Sequence, residues 1–140
     1  MAATTIDGKI IDGLLSHFGG FTLSAGVGVA YPGVSFSPDA GQPYVELSVL
    51  NNTPIQRMIA FGKEPERLGI FQASVFWPEG QGIVKATDLA AQIGQHFARG
   101  TKIREAGVVI WIMSDPDIAA PLQEKAWMQV PVSIRWHVYP

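Results

Sequence analysis

The chain of 140 residues contains no cysteine. Disulfides, thiolate metal ligands and a thiol nucleophile are therefore excluded. Charge is scarce as well. Asp, Glu, Lys and Arg supply 16% of residues, well below the usual quarter, while hydrophobic residues supply 47%. Such a chain is globular rather than disordered, and it has little polar surface with which to cover its core. That shortage points to a surface buried against a partner. A net charge of −2 lacks the basic excess of a nucleic-acid binder. No run of about 18 apolar residues occurs, so no membrane span is expected. Met1–Asp7 has neither the charged start nor the apolar centre of a signal peptide, which suggests a soluble product made in the cytoplasm.

Motifs for chemistry are missing too. Gly26, Gly28 and Gly33 lack the spacing of a dinucleotide fingerprint, and no phosphate-loop Lys-Ser/Thr pair follows them. There is no Gly-x-Ser-x-Gly elbow. His17, His96 and His137 have no second ligand at i+2 or i+4, so they form no local metal pair. His17 and His96 fall late in predicted helices, where a cation complements the helix dipole. Asp115 and Asp117 read as a turn stabilised by side-chain-to-backbone hydrogen bonds. No catalytic residue, cofactor or metal site is expected, and the chain reads as non-enzymatic.

What is present is patterning. Ile6, Ile10, Ile11, Leu14, Leu15 and Phe18 recur at helical spacing. Thr4 or Thr5 can cap this helix, and Gly19-Gly20 can end it in a left-handed conformation. Internal Gly8 and Gly13 each cost about 1 kcal/mol of helix propensity relative to Ala. A short strand is expected at Val27–Ala30, and Tyr44–Leu50 and Leu68–Trp77 alternate as strands. Gly82–Phe97 reads as the second helix, with Ile83, Ala86, Ala90, Ile93 and Phe97 on its apolar stripe. Thr101–Arg104 and Gly107–Met113 read as short strands, and 114–117 as a turn. Ala126–Tyr139 alternates throughout: Met128, Val130, Val132, Ile134, Trp136 and Val138 face inward. Pro131 cannot donate to a ladder and is expected at a sheet edge or bulge. The order of elements predicts one α+β domain over 1–140, a mostly antiparallel sheet with two helices packed on one face.

The segment 55–67 follows no period and reads as a loop or arm. It sets Met58, Ile59 and Phe61 beside Arg57, Lys63, Glu64 and Arg67. An arm of this composition can bury its apolar side chains on a neighbouring subunit and pair its charges there. The outward residues Arg135, His137 and Tyr139 are expected to share in that contact.

Tyr31-Pro32-Gly33-Val34-Ser35-Phe36-Ser37-Pro38, Gly41-Gln42-Pro43-Tyr44-Val45, Gly69-Ile70-Phe71-Gln72, Trp77-Pro78-Glu79-Gly80-Gln81-Gly82 and His96-Phe97-Ala98-Arg99-Gly100-Thr101 follow one another in order. In that order and spacing they resemble a phage-related family similar to the tail terminator (minor tail) proteins of long-tailed bacteriophages. The similarity runs from about Tyr31 to the C-terminal end. The resemblance implies a structural protein of the virion tail, from a phage or prophage, that assembles in the host cytoplasm. It further implies self-association into a ring, typically a hexamer, that stops polymerisation of the tail tube protein and docks the head-tail connector. The alternatives are another head-tail or tube subunit, or a small-ligand-binding α+β module with a pocket between sheet and helices.

Overall fold

A computed structural model describes residues 3–23, 26–38, 41–57, 62 and 64–139. The elements run in the order α1 (Ile6–Gly19), β1 (Gly28–Ala30), β2 (Tyr44–Asn51), β3 (Arg67–Pro78), α2 (Val84–His96), β4 (Lys102–Glu105), β5 (Val108–Trp111), β6 (Asp117–Ile118), β7 (Leu122–Glu124) and β8 (Trp127–Val138). The fold is α+β. Among the described residues the strands form one sheet in the order β1-β2-β3-β8-β5-β4, and β6 and β7 add to β8. Among the described residues β1 with β2 is the one parallel pair, and the other pairs are antiparallel.

Alternation explains the sheet's two faces. Register sets Val45 opposite Val75 and Val75 opposite Val130; Leu47, Ala73 and Val132 make the next row, and Val49, Phe71 and Ile134 the third. All but the half-buried Val49 are buried. Side chains alternate across a strand, so these rows share one face, and both helices cover it. Ile10, Leu14 and Phe18 of α1, with Ala86, Leu89, Ala90 and Ile93 of α2, complete the cluster. Each fully buried aliphatic or aromatic side chain contributes about 2 kcal/mol. The opposite face carries Tyr44, Glu46, Ser48, Gln72, Phe76 and Arg135 and has no helix on it among the described residues.

The expected helix start is met at Thr5, whose hydroxyl oxygen accepts the Gly8 N–H at 3.1 Å. At the other end Gly20 is right-handed (φ −78°), not left-handed as expected, and its N–H reaches the His17 carbonyl. Gly13 is a contact rather than a defect. A Cβ there would lie 2.9 Å from Ile110 Cδ1 and 3.1 Å from Glu105 Cβ, so its absence lets α1 approach β4 and β5.

Three other expectations are corrected. The second helix begins at Val84, and Ile83 precedes it exposed rather than on the buried stripe. The turn read at 114–117 runs at Asp117 into β6, and β7 follows in a stretch for which no element was expected. Pro131 lies in the middle of β8, flanked by β3 and the β6–β7 segment, not at an edge or bulge. Its carbonyl accepts from Ala119 N at 2.9 Å, on the side away from β3. A residue's N and C=O share one side of a strand, so the missing N–H faces Ala119, where β6 ends, and the ladder with β3 loses no bond.

Candidate assembly surfaces

The arm is anchored at its base. Ile55 and Glu66 exchange two backbone hydrogen bonds of 2.8 Å, an isolated antiparallel bridge beyond β2 and β3. Met58, Ile59, Phe61 and Lys63 lie outside the described residues. The remaining charges of the arm pair within the chain. Glu66 is buried and accepts from Arg57 Nε through Oε2. Its Oε1 lies 3.4 Å from His137 Nδ1. The Arg57 hydrogen bond lowers the Glu66 pKa against the opposing effect of burial, aided by the charge of Arg57 and by His137. Arg67 donates to Asp7 at 3.1 Å and to Glu64 at 2.9 Å. Burial opposes its charge, but these two carboxylates outweigh it and hold the guanidinium pKa above its ordinary value.

Two of the expected outer residues of the last strand, His137 and Tyr139, gather at the same end of the sheet. His137 stacks on Tyr139 with ring centroids 6.0 Å apart, and Tyr139 meets Trp111 edge-on at 6.5 Å. Lys102 Nζ sits 4.4 Å above the Trp111 ring, a cation–π contact. Arg135 is apart from this group and pairs with Asp117 at 2.6 Å, both half exposed. Such a pair is worth about 0–1 kcal/mol. Thus Arg57 and His137 are brought together around Glu66, while Arg67 with Glu64 and Arg135 with Asp117 form separate pairs. Beside them a cleft of about 410 Å³ is lined by Ile6, Pro65, Arg67, Val109, Trp111 and Tyr139, among others.

Two further groupings escape sequence reasoning because they join distant residues. On the open face Phe36, Phe76 and Trp127 gather around Tyr44, which lies parallel to Phe76 at 4.7 Å and meets Trp127 edge-on. Burial, then the nearby Glu46, raises the Tyr44 pKa. His17 and His96, whose convergence no local spacing revealed, meet at the ends of the two helices. Each Nε2 reaches the other's carbonyl, a reciprocal clamp rather than a metal pair. Among the described residues no group of three or more His, Cys, Asp or Glu is placed to hold a metal ion.

One face of this sheet is buried under helices and the other, among the described residues, has no helix on it, the layered build of an α+β fold. The chain belongs to the phage tail terminator protein family, whose model matches residues 9–136, and it is a structural protein of phage tails. A solved structure 25% identical in sequence superposes with a TM-score of 0.73, covering 96% of this chain and 95% of that one. A chain from the virion of a native gene transfer agent particle shares the fold at a TM-score of 0.61 and 14% identity, over 97% and 98% of the two chains. No curated protein matches the sequence. No helix among the described residues is long and apolar enough to cross a membrane.

Proposed function

We propose that this protein closes into a ring, a hexamer by the expectation above, that ends polymerisation of the tail tube and presents a docking surface to the head-tail connector. The observation that carries this reading is the family match over 9–136. The open sheet face is consistent with it, since a subunit that meets itself, the tube and a connector needs several uncovered surfaces. In this reading the 55–67 arm, with Arg135, His137 and Tyr139, belongs to the subunit contact. Arg57 pairs with the buried Glu66, and Arg67 is itself largely buried against two carboxylates. The Arg135–Asp117 pair is half exposed and contributes little, so Arg135→Glu is the cleaner probe of that contact. It should weaken assembly and leave the fold intact.

The test of the reading is tail length by negative-stain electron microscopy, in lysates of the parent phage with and without the gene. Overlong tubes without heads in the deletion, restored to normal length by supplied protein, are the expected result. Normal tails carrying heads in the deletion would remove the role.

A further inference from the structure

The two ends of the strand order differ in charge. From Phe18 to Gln56 the sequence has no Lys, Arg or His, and its only charges are Asp39 and Glu46. That stretch includes β1 and β2, one edge of the sheet. The opposite edge, β4, carries exposed Lys102 and Arg104, with exposed Arg99 just before it. Lys102 and Arg104 flank the buried Ile103 and therefore lie on the open face. Glu46 flanks the buried Val45 and Leu47 and lies on that same face.

Each edge also has its own apolar feature. Beside the acidic edge, Tyr31, Val34 and Phe36 expose large apolar side chains after β1, Val34 at 63%. Beside the basic edge lies the cleft lined by Val109, Trp111 and Tyr139. Register sets Lys102 opposite Trp111 and Arg104 opposite Val109. One edge thus exposes apolar side chains beside Glu46, and the other has a recessed apolar surface with Lys102 and Arg104 beside it and Arg67 and Glu64 in its lining.

We propose that a second copy of this chain docks here head to tail, its 31–36 segment entering the cleft of its neighbour and its acidic edge facing Lys102 and Arg104. The inference rests on the ring reading and names the surfaces that make the ring. Because the two patches differ and lie at opposite ends of the sheet, the contact is heterologous, and repetition yields a closed ring or a filament. Charge complementarity selects this pairing over like edges, since two β4 edges would oppose cations to cations.

The absence of cysteine makes the test specific. Val34→Cys and Val109→Cys are prepared separately and oxidised alone and mixed, with wild-type oligomerisation followed by native mass spectrometry. Mixed-variant disulfides well above either variant alone are expected. In parallel, Lys102→Glu with Arg104→Glu should weaken self-association by about tenfold or more while leaving the circular dichroism unchanged. Adding Glu46→Lys to those two should recover part of it. Equal self-linking of a single variant would show an isologous contact and overturn the proposal. A wild-type ring that persists through the charge reversals without mixed disulfides would overturn these surfaces and leave the ring reading standing. Charge reversals that spare the ring but abolish tube binding would reassign the basic edge to the tube protein. Wild-type protein that stays monomeric, alone and with tube, would sink both readings.

Discussion

His17 and His96 each donate Nε2–H to the other's backbone carbonyl, at 2.8 and 2.6 Å, with ring centroids 4.2 Å apart and 24° between the planes. The pair ties the C-terminal ends of α1 and α2 together across 79 residues of sequence. It also gives a carbonyl at each helix end a side-chain donor, that of His17 in addition to the Gly20 N–H.

Burial lowers the His17 pKa first of all; the bond to the His96 carbonyl opposes that and the charge of His96 adds to it. A folded pKa below the unfolded value means that the unfolded state binds more protons, so stability rises with pH across the interval. The contribution is complete above the ordinary value of 6.5 and is lost as pH falls from there through the folded pKa. His17→Gln keeps an amide donor and removes the titration. In urea melts between about pH 7.5 and about pH 5.5, wild type should lose more stability than this variant. Equal losses would refute the assignment. His96→Ala removes one of the two donors to the His17 carbonyl and should cost about 1 kcal/mol at neutral pH.

Gly69 lies within β3 between Asn51 and Trp136. A Cβ there would meet the Leu50 carbonyl oxygen and lie 2.6 Å from Trp136 Cζ2. Neither neighbour can yield: one is backbone, and the other is a ring buried at 2% exposure. The Trp136 Nε1 is buried without a hydrogen-bond partner among the described residues, so the ring is held by packing alone. Gly69→Ala should therefore cost about 3 kcal/mol or more. The denaturant midpoint checks this, and a loss below about 1 kcal/mol would show that the ring or strand can shift.

Gly13 gives the contrasting case, because its nearest neighbour is the tip of a flexible side chain, Ile110 Cδ1. Gly13→Ala gains about 1 kcal/mol of helix propensity and loses a comparable amount to crowding. Ile110→Val removes the crowding methyl and alone costs about 1 kcal/mol. The double variant should be more stable than the sum of the singles by about 1 kcal/mol, whereas additivity would mean that the helix moves away.

The alternation of Leu68–Trp77 and Ala126–Tyr139 made β3 and β8 legible, since period two with one buried face leaves a direct mark on sequence. β6 and β7 were not legible. They are two and three residues long and exposed throughout, so nothing alternates and pairing with β8 alone defines them. The helix-buried face and the arm's unpatterned composition were readable, but the use of the arm's charges was not. Arg57 and Glu66 stand nine residues apart, and only the bridge at Ile55 brings them together. The 79-residue separation of His17 and His96 is the same limit at longer range.

Glu66 tests whether the Arg57 pair serves the fold as well as any partner. Its pKa is depressed, so its contribution is present above the ordinary value of 4.5 and is lost as pH falls from there through the folded pKa. Arg57→Met removes the leading cause of that depression. Burial would then be opposed by His137 alone among the contributors, and the carboxyl should titrate at higher pH. Acid unfolding of Arg57→Met should accordingly begin at higher pH than in wild type. Glu66→Gln should lack this part of the acid limb altogether. Carboxyl carbon-13 titration of Glu66 in wild type and in Arg57→Met reads the effect directly. An unchanged Glu66 midpoint would mean that Arg57, which is 62% exposed, spends its time in solvent and is available to a neighbouring subunit after all.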